Sequence, residues 1–347
     1  MLHTALCDLL DIPHPVIQAG MGPFTCARLA AAVSNAGGLG SLGAGTRTAG
    51  QLHAELVRLR ALTDRPFAVN HTVSNLDEDA FAVTLAARPA VVSFALSDPG
   101  ELVERAHRAG ALVAHQVTTV TEARAAAAHG VDVIIAQGGE AGGFGGQVAG
   151  LVLVPQVVDA VHPIPVVAAG GIADGRGLAA ALCLGAQGVN IGTRFLATPE
   201  SPVHEGWKQA ILAADAVDPV KVELFEHVLP GIGGGYRTVP RALPSPFTRR
   251  LHDTEQDTDE AGHQIVELRA AVAAAIKRAA LGELMPFCGQ TAGLISALTP
   301  AAEIVHTIVA EARQALQMAT RSGRTSHAGR EQSRHSPDDK AALKLLS

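Results

Sequence analysis

Residues 131–195 read VDVIIAQGGEAGGFGGQVAGLVLVPQVVDAVHPIPVVAAGGIADGRGLAAALCLGAQGVNIGTRF. Three short apolar runs, of the kind that form buried parallel strands, each end in a glycine-rich turn. The turns are Gln137-Gly138-Gly139, Ala169-Gly170-Gly171 and Gly192-Thr193-Arg194. Glycine at the carboxyl end of a strand lets a ligand approach the backbone closely and leaves N–H groups open to it. Two such turns on neighbouring strands make a phosphate cradle, as at the last strands of a (β/α)8 barrel. The stretch points to a parallel barrel that holds a phosphorylated ligand.

Outward from this stretch, short apolar runs alternate with helical patterns. Strands are expected at 15–19, 39–42, 67–70, 91–95, 112–116, 133–137, 166–169 and 189–191. Helices are expected near 26–36, 49–62, 77–87, 99–109, 120–129, 155–161, 175–184 and 202–214. Asp98-Pro99-Gly100-Glu101 and Thr119-Val120-Thr121-Glu122 read as capping boxes, closed by Gly110 and Gly130. Eight strand–helix units in series predict an α/β fold of the (β/α)8 TIM-barrel class over residues 1–214. A dinucleotide-binding fold would need GxGxxG directly after the first strand, and Gln18-Ala19-Gly20-Met21-Gly22-Pro23 lacks that spacing. Residues 215–285 read as a small helical appendage with a loop-like linker, GIGGGYRTVPRALPSPF. Residues 286–318 return as an apolar loop and a helix at 300–316, and the polar tail 319–347 is expected to be disordered.

Composition narrows the function. Hydrophobic residues are 48% and charged residues 17%, which suits a large packed core. Aromatics at 3% and a net charge of −6 argue against a nucleic-acid partner. Cys7, Cys26, Cys183 and Cys288 are scattered without a CxxC, which offers no metal centre or disulfide framework and suits a reducing cytoplasm. The start, MLHTALCDLLDIPHP, lacks the pattern of a signal peptide, and no apolar run is long enough to span a membrane. The expected partner is a small-molecule substrate. A homodimer is compatible with the chain, and the sequence does not fix the oligomeric state.

Six elements together resemble the nitronate monooxygenase family, which is related to FMN-dependent type II enoyl-ACP reductases. They are Gln18–Gly22, Ala68-Val69-Asn70, Ala136–Gly143, Ala168–Ile172, Asn190–Phe195 and Gly289–Leu294, and the similarity covers about residues 10–215 and 286–316. The resemblance implies an FMN-dependent oxidoreductase. On the matching positions, it implies that Ala19, Met21 and Gly22 lie against the flavin ring. Asn70 and Gln137 would meet the ring or the ribityl chain, and Gly142 and Gly143 would pass close to ring and phosphate. Gly170, Gly171, Asn190, Gly192 and Thr193 would form the phosphate cradle.

One position departs from the pattern. Family members carry a histidine directly after the glycine pair, and this chain has Phe144, which cannot exchange a proton and is expected to form an apolar wall of the substrate pocket. His71 is the candidate for a replacement catalytic group, with His115 behind it, because histidine titrates nearest neutrality. Alternation along a strand lets only one of Asn70 and His71 face the barrel mouth. Glu140 reads as a cap or an arginine partner, Arg194 as a phosphate contact or an ion pair, and Trp207 as packing for the last barrel helix. Tyr236 and Arg237 read as part of a loop over the substrate. The favoured activity is oxidation of an alkyl nitronate with O2. The alternatives are an NAD(P)H-driven flavin reductase acting on an enoyl thioester or quinone, a flavin-binding protein without turnover, and an ordinary phosphate-binding barrel.

Overall fold

A computed structural model of the chain describes residues 2–223, 225–229, 235–256, 261–278 and 280–332. The strands, in chain order, are β1 (Val16–Gln18), β2 (Gly40–Gly43), β3 (Phe67–Thr72), β4 (Val91–Ala95), β5 (Leu112–Val117), β6 (Val133–Gln137), β7 (Gly143–Gly145), β8 (Val166–Ala169), β9 (Gly188–Ile191), β10 (Val220–Lys221) and β11 (Val239–Ala242). Eight of them form one parallel sheet in the order β1-β9-β8-β6-β5-β4-β3-β2. A parallel bridge between Ile17 and Leu39 joins its two edges and closes the expected TIM barrel.

Local chemistry sets most of the helix ends. Thr119 and Glu122 form the expected capping box, and Gly110 and Gly130 take positive φ where their helices stop. The Asp98 box does not form. Asp98 Oδ1 accepts from the N–H of Gly100 at 2.9 Å in a turn, Gly100 has φ +46, and the helix begins only at Leu102. The helix expected from Pro155 starts earlier, at Gly150, because the Glu140 carboxylate reaches across from the preceding loop and accepts from its N–H at 3.0 Å.

The expected eighth barrel helix is placed differently. Glu205–Ala213 sits near the barrel mouth, where buried Trp207 meets Phe24 edge-on at 4.9 Å between ring centroids. The outer ring is completed instead by the C-terminal helix Ala301–Gln332, which packs on Gly175–Cys183 and Ala27–Asn35. Its apolar face, Ile304, Val305, Ile308, Val309 and Ala312, joins the main core. That helix continues to Gln332, so the disorder expected from residue 319 does not begin there; residues 333–347 lie outside the described range. The appendage is not purely helical. It carries an antiparallel sheet in the order β10-β11-β7, so part of the expected linker is strand. Beside it stand the helices Pro246–Gln256, Ala261–Lys277 and Leu281–Leu284.

Inside the barrel, Leu6, Cys7 and Leu10 of the first helix plug the bottom against Ile17, Leu39, Val133 and Val167. Outside, His71, Phe94 and His115 lie in one register row across β3, β4 and β5. His71 Nε2 meets Thr84 Oγ1 at 2.9 Å, and its ring stands edge-on to Phe81. His115 Nε2 meets the Tyr236 hydroxyl at 2.9 Å.

Burial pushes both histidines down to about 4, against 6.5 for a free imidazole. Their folded values are depressed, so the unfolded chain binds protons first as pH falls. The resulting stability is complete above about pH 6.5 and is lost toward pH 4, at roughly 2 kcal/mol per histidine by about pH 5. Urea unfolding across that window should show the decline, and His71→Gln should make it shallower. Equal slopes for wild type and variant would contradict this account.

Candidate active site

The barrel opens at the carboxyl ends of its strands into one cavity. The alternation of strand residues decides what lines it. Ala68, Asn70 and Thr72 face inward from β3, as do Val91, Ser93 and Ala95 from β4, Ala114 and Gln116 from β5, and Val133, Ile135 and Gln137 from β6. Deep in the barrel these are hydrocarbon; at the rim they become amides and hydroxyls. All twelve residues expected to hold the cofactor line this cavity: Ala19, Met21, Gly22, Asn70, Gln137, Gly142, Gly143, Gly170, Gly171, Asn190, Gly192 and Thr193. Phe144 lines it as well. His71 and His115 do not, because Asn70 and Gln116 take the inward positions beside them. His71 is therefore corrected from a catalytic candidate to a group held against Thr84 and Phe81 outside the barrel.

The glycine turns divide into two kinds. The N–H groups of Gly138, Gly139 and Ala141 are satisfied by the carbonyls of Ala169, Val148 and Gly138. Those of Gly170, Gly171, Gly192 and Thr193 take no part in the turn and cap hydrogen bonds among the described residues. These four belong to the ends of β8 and β9, which are neighbours in the sheet. Gly170 and Gly171 have φ of +87 and +72, and a Cβ on Gly170 would stand 3.0 Å from the Gly138 carbonyl oxygen. A side chain would strain the backbone at both positions, and at Gly170 it would also be crowded. Thr193 Oγ1 accepts from the N–H of Gly289 at 3.0 Å, which leaves its hydroxyl proton free to donate.

Three polar atoms in the cavity wall are buried with no hydrogen-bond partner among the described residues: Ser41 Oγ, Gln137 Oε1 and Asn190 Oδ1. Buried polar atoms of this kind are costly unless something bonds them. Asn70 is already engaged, donating to Ser93 Oγ at 3.0 Å. A polar ligand that supplies donors to these acceptors, and an anion for the open N–H groups, fits this wall.

Among the described residues, no aspartate, glutamate, histidine, lysine, arginine, cysteine or tyrosine lines the cavity. The charged candidates near it point elsewhere. Arg194 donates to the carbonyls of Ala197 and Ala297, at 3.3 and 3.1 Å, and not to a phosphate position. Glu140 caps Gly150. Tyr236 is tied to His115, and Arg237 is exposed. Sequence reasoning missed Ser41, Ser93, Gln116 and Thr291, which line the cavity. The first three were recoverable from the two-residue period. It also missed Phe24, Phe225, Leu281 and Phe287, which arrive from loops and from the appendage and carry no local signal. No group of side chains able to hold a metal ion occurs among the described residues, and none of their helices is long and apolar enough to cross a membrane.

Comparison with known proteins gives the family and the fold. A relative from Mycobacterium tuberculosis named (3aS,4S,5R,7aS)-5-hydroxy-7a-methyl-1-oxo-octahydro-1H-indene-4-carboxyl-CoA dehydrogenase is 47% identical over 61% of this chain, and the chain spans 61% of that relative's length. A nitronate monooxygenase from Paraburkholderia phytofirmans is 32% identical over 90% of this chain and 96% of its own. The solved structure of FabK from Thermotoga maritima superposes with a TM-score of 0.82 at 35% identity, covering 92% of this chain and 99% of that one. The nitronate monooxygenase family model matches residues 3–85 and 76–311, so the chain belongs to that family of FMN-dependent oxidoreductases.

Proposed function

We propose that this chain binds FMN in the barrel cavity and oxidises an apolar alkyl nitronate, taken up as the preformed anion, with O2 as co-substrate. The observation that carries the reading is a cavity rim that, among the described residues, has open N–H groups and unpartnered acceptors but no ionisable side chain. Gly170, Gly171, Gly192 and Thr193 hold the phosphate through main-chain N–H groups and the Thr193 hydroxyl. Ser41, Gln137 and Asn190 accept from hydroxyl and N–H groups of the ribityl chain and ring, and Ala19, Met21 and Gly22 lie against the ring. Bound FMN supplies the electron acceptor. Deprotonating a neutral nitroalkane calls for a base, and Phe144 stands where the family carries one. A substrate that arrives as an anion needs no proton removed, so a cavity without titrating groups suffices.

A second reading has its own support. The 47% identical relative is named as a dehydrogenase of a ring-bearing acyl-CoA, and Phe24, Phe144, Phe225 and Phe287 line this cavity. On that reading the cavity would hold a thioester beside FMN, bound FMN would supply the redox chemistry at its carbon skeleton, and NAD(P)H would be the redox partner. An absorbance spectrum of the purified protein, followed by anaerobic titration, separates the two. Bleaching by a nitronate faster than by NADPH or by a saturated acyl-CoA supports the first reading. The reverse order supports the second, and a protein that takes up no flavin rejects both.

Three outcomes follow from the site. In Asn190→Ala a buried acceptor without a partner is removed, so the FMN-free protein should be as stable as wild type or more so, while FMN binds about tenfold more weakly; equilibrium dialysis and urea unfolding read the two effects. Phe144→His should raise turnover of neutral nitroalkanes by up to about 10²-fold while changing turnover of preformed nitronates little. Last, kcat/KM of the wild-type enzyme on a preformed nitronate should be flat between about pH 6 and 7.5, since no lining group among the described residues titrates there and Lys221, brought down to about 8, is still mostly charged. An inflection near pH 7 that survives in His71→Gln would contradict the proposal.

A further inference from the structure

The chain has nine phenylalanines, and four of them, Phe24, Phe144, Phe225 and Phe287, line the same cavity. They come from four separate segments: the turn after β1, strand β7, the short helix Phe225–Val228, and the segment before Gly289. Ring centroids lie 5.7 Å apart for Phe144 and Phe225, 6.0 Å for Phe144 and Phe287, 6.0 Å for Phe24 and Phe287, and 6.4 Å for Phe225 and Phe287. The planes are inclined by 53°, 44°, 53° and 89°, so the rings form a concave corner and not a flat stack. Leu281 adds to the same wall.

The corner depends on a weak strand. β7 is three residues long and two are glycine, so Phe144 is its only side chain beyond Cα. Phe144 pairs in register with Pro240 of β11, and proline has no N–H to give to the ladder. Lys221 supplies the missing tie. Its ammonium donates to the carbonyls of Gly145, Gly146 and Val239 at 3.0, 2.8 and 3.2 Å, linking β10, β11 and the end of β7.

We propose that this aromatic corner is a hydrocarbon subsite selecting substrates with a bulky, uncharged ring or branched group beside the reacting carbon, and that Lys221 is the positioning residue that keeps Phe144 in it. The inference deepens the reading above and rests on it for where the reacting carbon lies. Each methylene moved from water into such a site is worth about fourfold in affinity. A compact ring touches several walls of the corner at once, whereas a short linear chain leaves some ring atoms without a neighbour and forfeits those contacts. A charged group there would lose its hydration with no counter-ion in the wall.

Calorimetry on the FMN-loaded protein tests this without turnover, using cyclohexanecarboxamide, propanamide and succinamate as probes. The cyclic amide should bind at least about tenfold tighter than propanamide, and succinamate should be weaker still. Phe144→Ala should reduce the cyclic preference to within about threefold while FMN affinity, read by dialysis, stays within about threefold of wild type. Lys221→Met should weaken the cyclic amide about tenfold, and Lys221→Arg, which keeps a cationic donor, should restore most of it. Equal affinity of the wild-type protein for the two uncharged amides overturns the subsite. An unchanged amide preference in folded Lys221→Met overturns the role of Lys221. If nitronate turnover is absent while the amide preference holds, the error lies in the proposed reaction and not in the corner.

Discussion

Successive residues of a strand face opposite sides of the sheet, and this constraint determines what chemistry the cavity offers. At the rim it turns Asn70, Ser93, Gln116 and Gln137 inward and His71, Phe94 and His115 outward. Bringing either histidine into the cavity would take a one-residue slip of its strand. That slip would also expose the apolar interior positions of the strand to the outer layer and break its ladders on both sides. Among the described residues the barrel register thus keeps both histidines out of the lining, and Phe144 leaves the glycine loop without an ionisable group as well. The histidines that the chain does have near the rim are held neutral by burial, one by Thr84 and one by Tyr236.

Charge is present around the cavity but not in its wall. Arg47 donates to the carbonyls of Gly22, Pro23, Thr25 and Gly43, Arg241 to those of Pro219 and Gly139, Arg194 to two more, and Lys221 to three. Glycine-rich loops leave carbonyls without a helix or sheet partner, and a buried carbonyl without a donor is costly. The cations satisfy these groups and lose hydration in doing so. Burial lowers the pKa of all four, bringing Lys221 down to about 8. Each of these cations has a carboxylate within electrostatic reach: Glu55 for Arg47, Glu303 for Arg194, Glu223 for Lys221 and Glu140 for Arg241. Their donors are spent on loop carbonyls, so on the proposed reading a phosphate would be held by main-chain N–H groups and the Thr193 hydroxyl and not by an ion pair.

The barrel was legible because its signals are local. The eight strands were placed to within two residues at each end, as apolar runs stopped by glycine or by amides, and the Thr119 cap contains its whole mechanism in four residues. The cavity lining was legible for a related reason: glycine pairs and rim amides fall at fixed offsets from those strand ends. Long-range matters were not. That the last helix of the ring comes from residues 301–332 depends on Gly175, where a Cβ would stand 2.3 Å from the Glu311 Cβ, and no window of sequence contains both. Asp98 misled because Gly100 can adopt a turn as easily as a first helical residue. The appendage sheet was hidden because β7 pairs across about a hundred residues with a strand containing proline.

Phe144 connects these two scales. It sits on the glycine loop that the barrel supplies, yet its neighbours Phe225 and Phe287 come from the appendage and the returning C-terminal segment. A histidine at this position would face two phenyl rings, and burial among them would disfavour its charged form, as it does for His71 outside the barrel. Such a ring would stay neutral near pH 7, the form that can take a proton from a neutral nitroalkane, and as a weakened base it would restore only part of the general-base contribution. The apolar residue and the appendage that surrounds it are thus one solution. On the proposed reading proton chemistry is left to the substrate, and Phe144 contributes hydrocarbon contact to the wall. On the same reading the corner selects by shape, because none of its described residues can supply an ion pair.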